Sequence, residues 1–159
     1  MRQANFTLKS VWQFSLGLML MLAVPIWGTA QTFVGAGNPQ AINDNSTTTS
    51  AATAVGAGVI GVDVQIDMVE LDITHTFDGD LDITLISPMG TTLDLSSDNG
   101  VAGDNYTQTV FMDGAPNITT GAAPFTGTFS PEAGTFAATF DGEAIAGDWV
   151  LQVFDDTGG

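Results

Sequence analysis

From Val59 to Val153 the apolar residues recur at every second position, and no helical periodicity longer than two turns appears after residue 31. Period two places alternate side chains on opposite faces of an extended strand, so this stretch must fold as sheets with one face buried. Val62, Val64, Ile66 and Met68 form one stripe, while Val69, Leu71, Ile73, His75 and Phe77 continue in the opposite phase. A one-residue slip moves the apolar set to the other face, which predicts a bulge or break near Asp67 to Val69. Leu81, Ile83 and Leu85 make a further stripe, closed by the turn signal Ser87-Pro-Met-Gly90. Leu93 and Leu95, Tyr106 to Phe111, Ala123 to Phe129, and Trp149, Leu151 and Val153 mark four more short strands. Short strands punctuated by Gly, Pro, Asp and Asn predict an all-β fold, a jelly-roll-like β-sandwich. No internal repeat of fixed length is present.

Charge narrows the possible partners. The two basic residues, Arg2 and Lys9, lie at the start of the chain, and all 18 acidic residues follow residue 30. Between them runs the mostly apolar segment Val11 to Trp27, ending in the small residues of Gly28-Thr-Ala30. A basic start, an apolar core and a small-x-small end predict a signal peptide over residues 1–30, cleaved after Ala30, and hence a secreted or cell-surface protein. The remaining 129 residues would carry fifteen Asp, three Glu and no Lys or Arg. Such a polyanion repels nucleic acid and anionic membranes. With no cysteine in the chain, disulfides cannot clamp the fold, and a bound metal is the alternative staple. Residues 31–53, rich in Asn, Thr, Ser, Ala and Gly around Asn43-Asp-Asn-Ser-Thr-Thr-Thr-Ser50, are expected to be a polar linker before a sandwich domain over 54–159.

Four blocks occur in a diagnostic order. They are Ile73-Thr-His-Thr-Phe-Asp-Gly-Asp-Leu-Asp-Ile-Thr-Leu-Ile-Ser-Pro-Met-Gly-Thr91, Gly103-Asp-Asn-Tyr-Thr-Gln-Thr-Val-Phe111, Ala123-Pro-Phe-Thr-Gly-Thr-Phe-Ser-Pro-Glu132 and Phe140-Asp-Gly-Glu-Ala-Ile-Ala-Gly-Asp-Trp-Val-Leu-Gln-Val-Phe-Asp155. Together they resemble the P domain, or P/Homo B domain, of proprotein convertases and bacterial subtilisin-like proteases. The resemblance spans Ile42 to Gly159. It implies a jelly-roll sandwich beside a subtilisin-type serine endopeptidase domain, supporting that domain's folding, stability and calcium dependence in proteolysis without being the hydrolase. The family pattern continues past Asp155-Asp-Thr-Gly-Gly159 into at least one more strand, so a C-terminally incomplete domain with an open sheet edge is expected.

The chemistry points the same way. His75 alternates with Ile73 and Phe77 and no serine sits in a nucleophile-elbow context, which argues against a catalytic triad. The acids sit mostly in Gly- and Asn-containing loops, which suit turns and cation ligation better than the raised-pKa acid of a glycosidase. Calcium is the favoured ligand, because it takes six to eight oxygens from carboxylates, amides and backbone. Asp80, Asp104 and Asp155 are the first candidate ligands, being in the family blocks, and Asp78 is the next. The Asp78-x-Asp80-x-Asp82 spacing is not an EF-hand, since Ile83 and Met89 replace its Gly and Glu. The competing reading of these acids is a solvated surface, with Asp82 on the solvent face. His75, Trp149, Phe125 and Phe140 are expected in the core. Core packing is also expected of Phe77, Phe111, Phe129 and Phe136, rather than a carbohydrate-stacking platform. Two functional classes follow: an accessory sandwich of a secreted protease, and a stand-alone adhesion or glycan-binding module of an exported protein. The placement of only a linker before the sandwich favours the second class relative to a convertase-like chain order.

Overall fold

The computed structural model describes residues 3–12 and 30–158. The apolar run beyond Trp12 and residues Gly28 and Thr29 of the expected cleavage site lie outside them. Among the described residues ten strands form two sheets: β1 (Gln3–Trp12), β2 (Gln31–Val34), β3 (Gln40–Ala41), β4 (Ser46–Ala54), β5 (Val64–Thr74), β6 (Leu81–Ile86), β7 (Thr92–Ser97), β8 (Tyr106–Phe111), β9 (Phe125–Phe129) and β10 (Gly147–Asp155). One sheet has the order β2-β1-β5-β8-β9, with β3 also on β1, and the other has the order β4-β10-β6-β7. The fold is thus an all-β sandwich.

The apolar stripes face one another between the sheets. Val69, Leu71 and Ile73 of β5 are buried against Leu81, Ile83 and Leu85 of β6 and Trp149, Leu151 and Val153 of β10 within one core cluster. The phase slip in β5 is a bulge. Met68 stands opposite Lys9 and Ile66 opposite Ser10, leaving Asp67 as the extra residue, so Ile66 and Val69 both face inward. The bulge lets one strand of eleven residues serve the core throughout. The ends of the stripes differ from the alternation: Val62 is 59% and Phe77 41% exposed, because both lie in turns beyond the ends of β5. Ser87-Pro-Met-Gly90 turns as expected, with the Ser87 Oγ accepting from the N–H groups of Met89 and Thr91 and Gly90 at φ +88°.

Aromatic packing follows the core expectation. Trp149 meets Phe140 edge-to-face at 4.9 Å and donates its indole N–H to the Ile145 carbonyl at 2.9 Å. Phe125 stacks on Tyr106 at 4.7 Å, and Tyr106 hydroxyl and Ser96 Oγ bond at 3.0 Å. Phe111 and Phe136 are buried, and Phe129 packs against the cluster from its edge.

The stretch expected to be a linker contributes a full strand. β4 pairs with β10 over nine positions, Ser46 opposite Asp155 to Ala54 opposite Gly147. Its Ala52 and Ala54 are buried. Small residues suit it to an edge strand that needs little volume, and composition alone reads the same residues as unstructured. β10, the strand bearing Trp149, is central, bonded to β4 on one side and β6 on the other.

Candidate functional site

The acidic residues singled out by sequence gather at one end of the sandwich. β5 leaves its sheet at Thr74, crosses through His75 and a 3₁₀ turn at Asp78–Asp80, and enters β6 of the opposite sheet at Leu81. The loop 98–105 packs onto this crossing. Asp78 donates its N–H to the Gly103 carbonyl and Gly79 donates to the Val101 carbonyl, at 2.8 and 2.9 Å. A Cβ on Gly79 would come within 2.8 Å of that Val101 oxygen, so only glycine permits the approach.

His75 ties the two sheets together. Its Nε2 lies 2.9 Å from Asp155 Oδ2, and both side chains are fully buried. Asp155 ends β10, eighty residues further along the chain. Its other oxygen accepts from the Thr157 N–H at 3.3 Å. The Nδ1 of His75 is held against the backbone of Phe77, 2.9 Å from its carbonyl and 3.2 Å from its N–H. A general base needs a ring nitrogen directed at a nucleophile. Both nitrogens of His75 are engaged with structural partners, so the imidazole serves as a buried cross-tie.

Asp78 is buried in a different way. Its Oδ1 accepts from the Asn105 N–H at 2.9 Å, while Asn105 Oδ1 accepts from the His75 N–H at 3.1 Å. Asn105 therefore bridges the two buried groups, at φ 75°, a left-handed conformation that asparagine tolerates better than most residues. Asp78 Oδ2 is buried without a hydrogen-bond partner. Burial pushes the Asp78 carboxyl up to about 7. The Asn105 N–H opposes that shift, and the charge of Asp104 adds to it.

The four expected ligands are thus divided. Asp78 lies within electrostatic reach of the exposed Asp104. Asp155 belongs to His75. Asp80 joins a third group. With Asp82, Asp156 and Glu132 it raises the carboxyl of Asp98, on which burial is the largest influence. Among the described residues no group of three or more His, Asp or Glu side chains converges to hold a metal ion. Asp94 Oδ1 and Glu143 Oε2 are likewise buried without a partner; among the four expected ligands the orphaned Asp78 oxygen is the feature that fits a cation, with Asp104 as its acidic neighbour.

Two features escaped the sequence reading. Asn105 was legible only as an amide in an acidic loop, whereas its bridging role depends on both His75 and Asp78. Glu132 holds the start of the loop, its Oε2 accepting from the Ser97 N–H at 2.9 Å and the Asn99 amide at 2.6 Å. The block Ser130-Pro-Glu132 was the available signal. Asp82 lies on the outer face of its sheet, as expected, and accepts from the Ser97 hydroxyl. Burial, with help from Glu132 and Asp82, raises the carboxyl of the neighbouring Asp94.

The model of the proprotein convertase P-domain family matches residues 64–159. This stretch contains all four sequence blocks and the whole His75–Asp78–Asn105–Asp155 constellation. No curated protein and no solved structure matches the chain.

Proposed function

Because the chain belongs to the proprotein convertase P-domain family, we propose that it is the non-catalytic accessory sandwich of a secreted subtilisin-like serine endopeptidase, supporting the folding and stability of that catalytic domain. The family match carries this reading, and the engagement of both His75 nitrogens supports a structural role. Secretion rests on the leader-like residues 1–30, and no helix among the described residues is long and apolar enough to cross a membrane.

Calcium dependence belongs to the same proposal. The ion would be held by Asp78 and Asp104, with backbone carbonyls of the adjoining loop and water completing an oxygen shell. The support is the buried Asp78 oxygen without a partner, since burying a charge is unfavourable unless it is paired, neutralised or metal-bound.

The test mixes the purified chain with subtilisin-like catalytic domains from the same genome. The expected result is a higher yield of active protease or a raised melting temperature for one of them, and no turnover of casein or fluorogenic peptides by the chain alone. A second reading, a glycan-binding or adhesion module, is favoured by one observation. A polar groove of about 420 Å³ crosses the outer face of the four-stranded sheet, lined by residues including Thr47, Thr84, Thr92, Gln152 and Asp82. Binding on a glycan array, with no effect on any catalytic domain, would move the assignment to this reading.

A further inference from the structure

The outer edge of β5 is filled by the residues that the sequence assigns to a cleavable leader. β1 runs antiparallel to β5, from Gln3 opposite Thr74 to Trp12 opposite Val64, and β5 bonds β8 on its other side. β1 also carries the pairing of β2 and β3. Cleavage after Ala30 would remove this strand and bare an edge of eleven residues. An uncovered edge of that length, apolar at alternate positions, is a template for another strand.

We propose that the outer edge of β5 is a strand-acceptor site for an extended peptide segment, that residues 3–12 occupy it in the uncleaved chain, and that their removal frees it for another segment of the same chemistry. The register specifies that chemistry. Ala4, Phe6 and Leu8 stand opposite Ile73, Leu71 and Val69, and beyond the bulge Ser10 and Trp12 stand opposite Ile66 and Val64. All five of these β5 residues are buried. Between them, Asn5 and Thr7 stand opposite Asp72 and Glu70. Like charges directly opposite one another destabilise a strand pair, so an acidic donor is disfavoured at these positions. Residues 1–30 meet this requirement, because every one of the 18 acids of the chain lies after them. An acceptor of this kind draws affinity from main-chain hydrogen bonds and specificity from alternate side-chain positions. The occupancy of the edge by β1 in the full-length chain is independent of the accessory-domain reading.

Two experiments test the two halves separately. The chain has no cysteine, so an introduced pair reports the register in the full-length protein. Residues directly opposite in an antiparallel pair lie about 4.5–5.5 Å apart at Cα, within disulfide range. Thr7→Cys with Glu70→Cys should form an intrachain disulfide on mild oxidation. Thr7→Cys with Thr74→Cys, four residues out of register, should form it at least tenfold more slowly. No bond in the first pair, or equal rates in both, overturns the occupancy of the edge by β1.

For the freed edge, the chain beginning at Gln31 is mixed with a fluorescent peptide of the sequence of residues 3–12. Saturable binding is expected, weakened at least tenfold when the peptide carries Phe6→Asp and Leu8→Asp, and absent with the full-length chain. If the shortened chain is unfolded alone, the expected result is that the peptide folds it. A folded chain that ignores the peptide, an unfolded one that it does not rescue, or equal binding to both chain lengths overturns the acceptor site.

Discussion

Asp155 and Asp78 are buried at the same end of the sandwich, yet they are stabilised differently. Asp155 faces the imidazole of His75 across the two sheets. Asp78 receives one backbone N–H through Oδ1 and leaves Oδ2 with no partner. The chain has no Lys or Arg beyond Lys9, and a carboxylate entering the interior can be balanced by histidine, by oriented N–H groups, by a proton or by a cation. Asp155 takes the first of these routes. Asp78 has part of the second, and its raised pKa leaves it open to the third or fourth. The pair teaches that a buried acid can be a fixed tie or an adjustable one, depending on whether its second oxygen has a partner.

The sharpest break of this comparison removes the tie. His75→Ala strands a buried carboxylate, a change of the kind that costs about 3–5 kcal/mol. Urea unfolding at pH 7 should show a loss of that order, and a loss under about 1 kcal/mol would mean that Asp155 is not held by His75.

Acid–base titration of stability addresses the other carboxyl. Burial raises the folded Asp78 carboxyl to about 7, against 3.8 for a solvated carboxyl as in the unfolded chain. Between those values the folded chain binds more protons than the unfolded chain, so stability must fall as pH rises from about 4 to 7. Burial shifts Asp94 and Asp98 in the same direction. Asp78→Asn should flatten much of the slope and leave the variant more stable than the parent at pH 8, by up to a few kcal/mol. Parallel curves for parent and variant would show that the slope comes from the acidic surface as a whole.

Calcium sharpens the same contrast at pH 8. At 100 times its dissociation constant a ligand adds about 2.7 kcal/mol to stability. Millimolar calcium should therefore raise the melting temperature above that in magnesium, or in sodium at matched ionic strength. Asp78→Asn and Asp104→Asn should remove most of the difference. Equal shifts in all three salts would reduce the effect to screening.

The smallest expected effect concerns the residue that joins the two acids. Asn105→Gly keeps both the positive φ and the N–H on Asp78 while deleting the acceptor for the His75 N–H. A loss of about 1 kcal/mol is expected, as for one hydrogen bond, measured by denaturant midpoint. No loss would uncouple Asn105 from His75.

Strands β5 to β10, the bulge near Asp67 and the aromatic core other than Phe77 were legible in the sequence, because period-two alternation is a local property and fixes which face of a strand is apolar. The stripe Leu81, Ile83 and Leu85 and the stripe Trp149, Leu151 and Val153 became one core without any need to know their neighbours. The family blocks likewise marked His75 and Asp155 as positions that matter. What those residues do was decided by assembly. His75 and Asp155 meet because the end of β5 and the end of β10 come from different sheets and arrive at the same corner. Asp78 loses its solvent because loop 98–105 folds over it, and Asn105 then becomes a bridge. The polar stretch 46–54 became a strand because β10 offered it nine positions of pairing, although its own composition carries almost no apolar alternation. Alternation is written residue by residue, but burial of a charge depends on what packs against it from far along the chain, and only the tertiary structure brings those groups together.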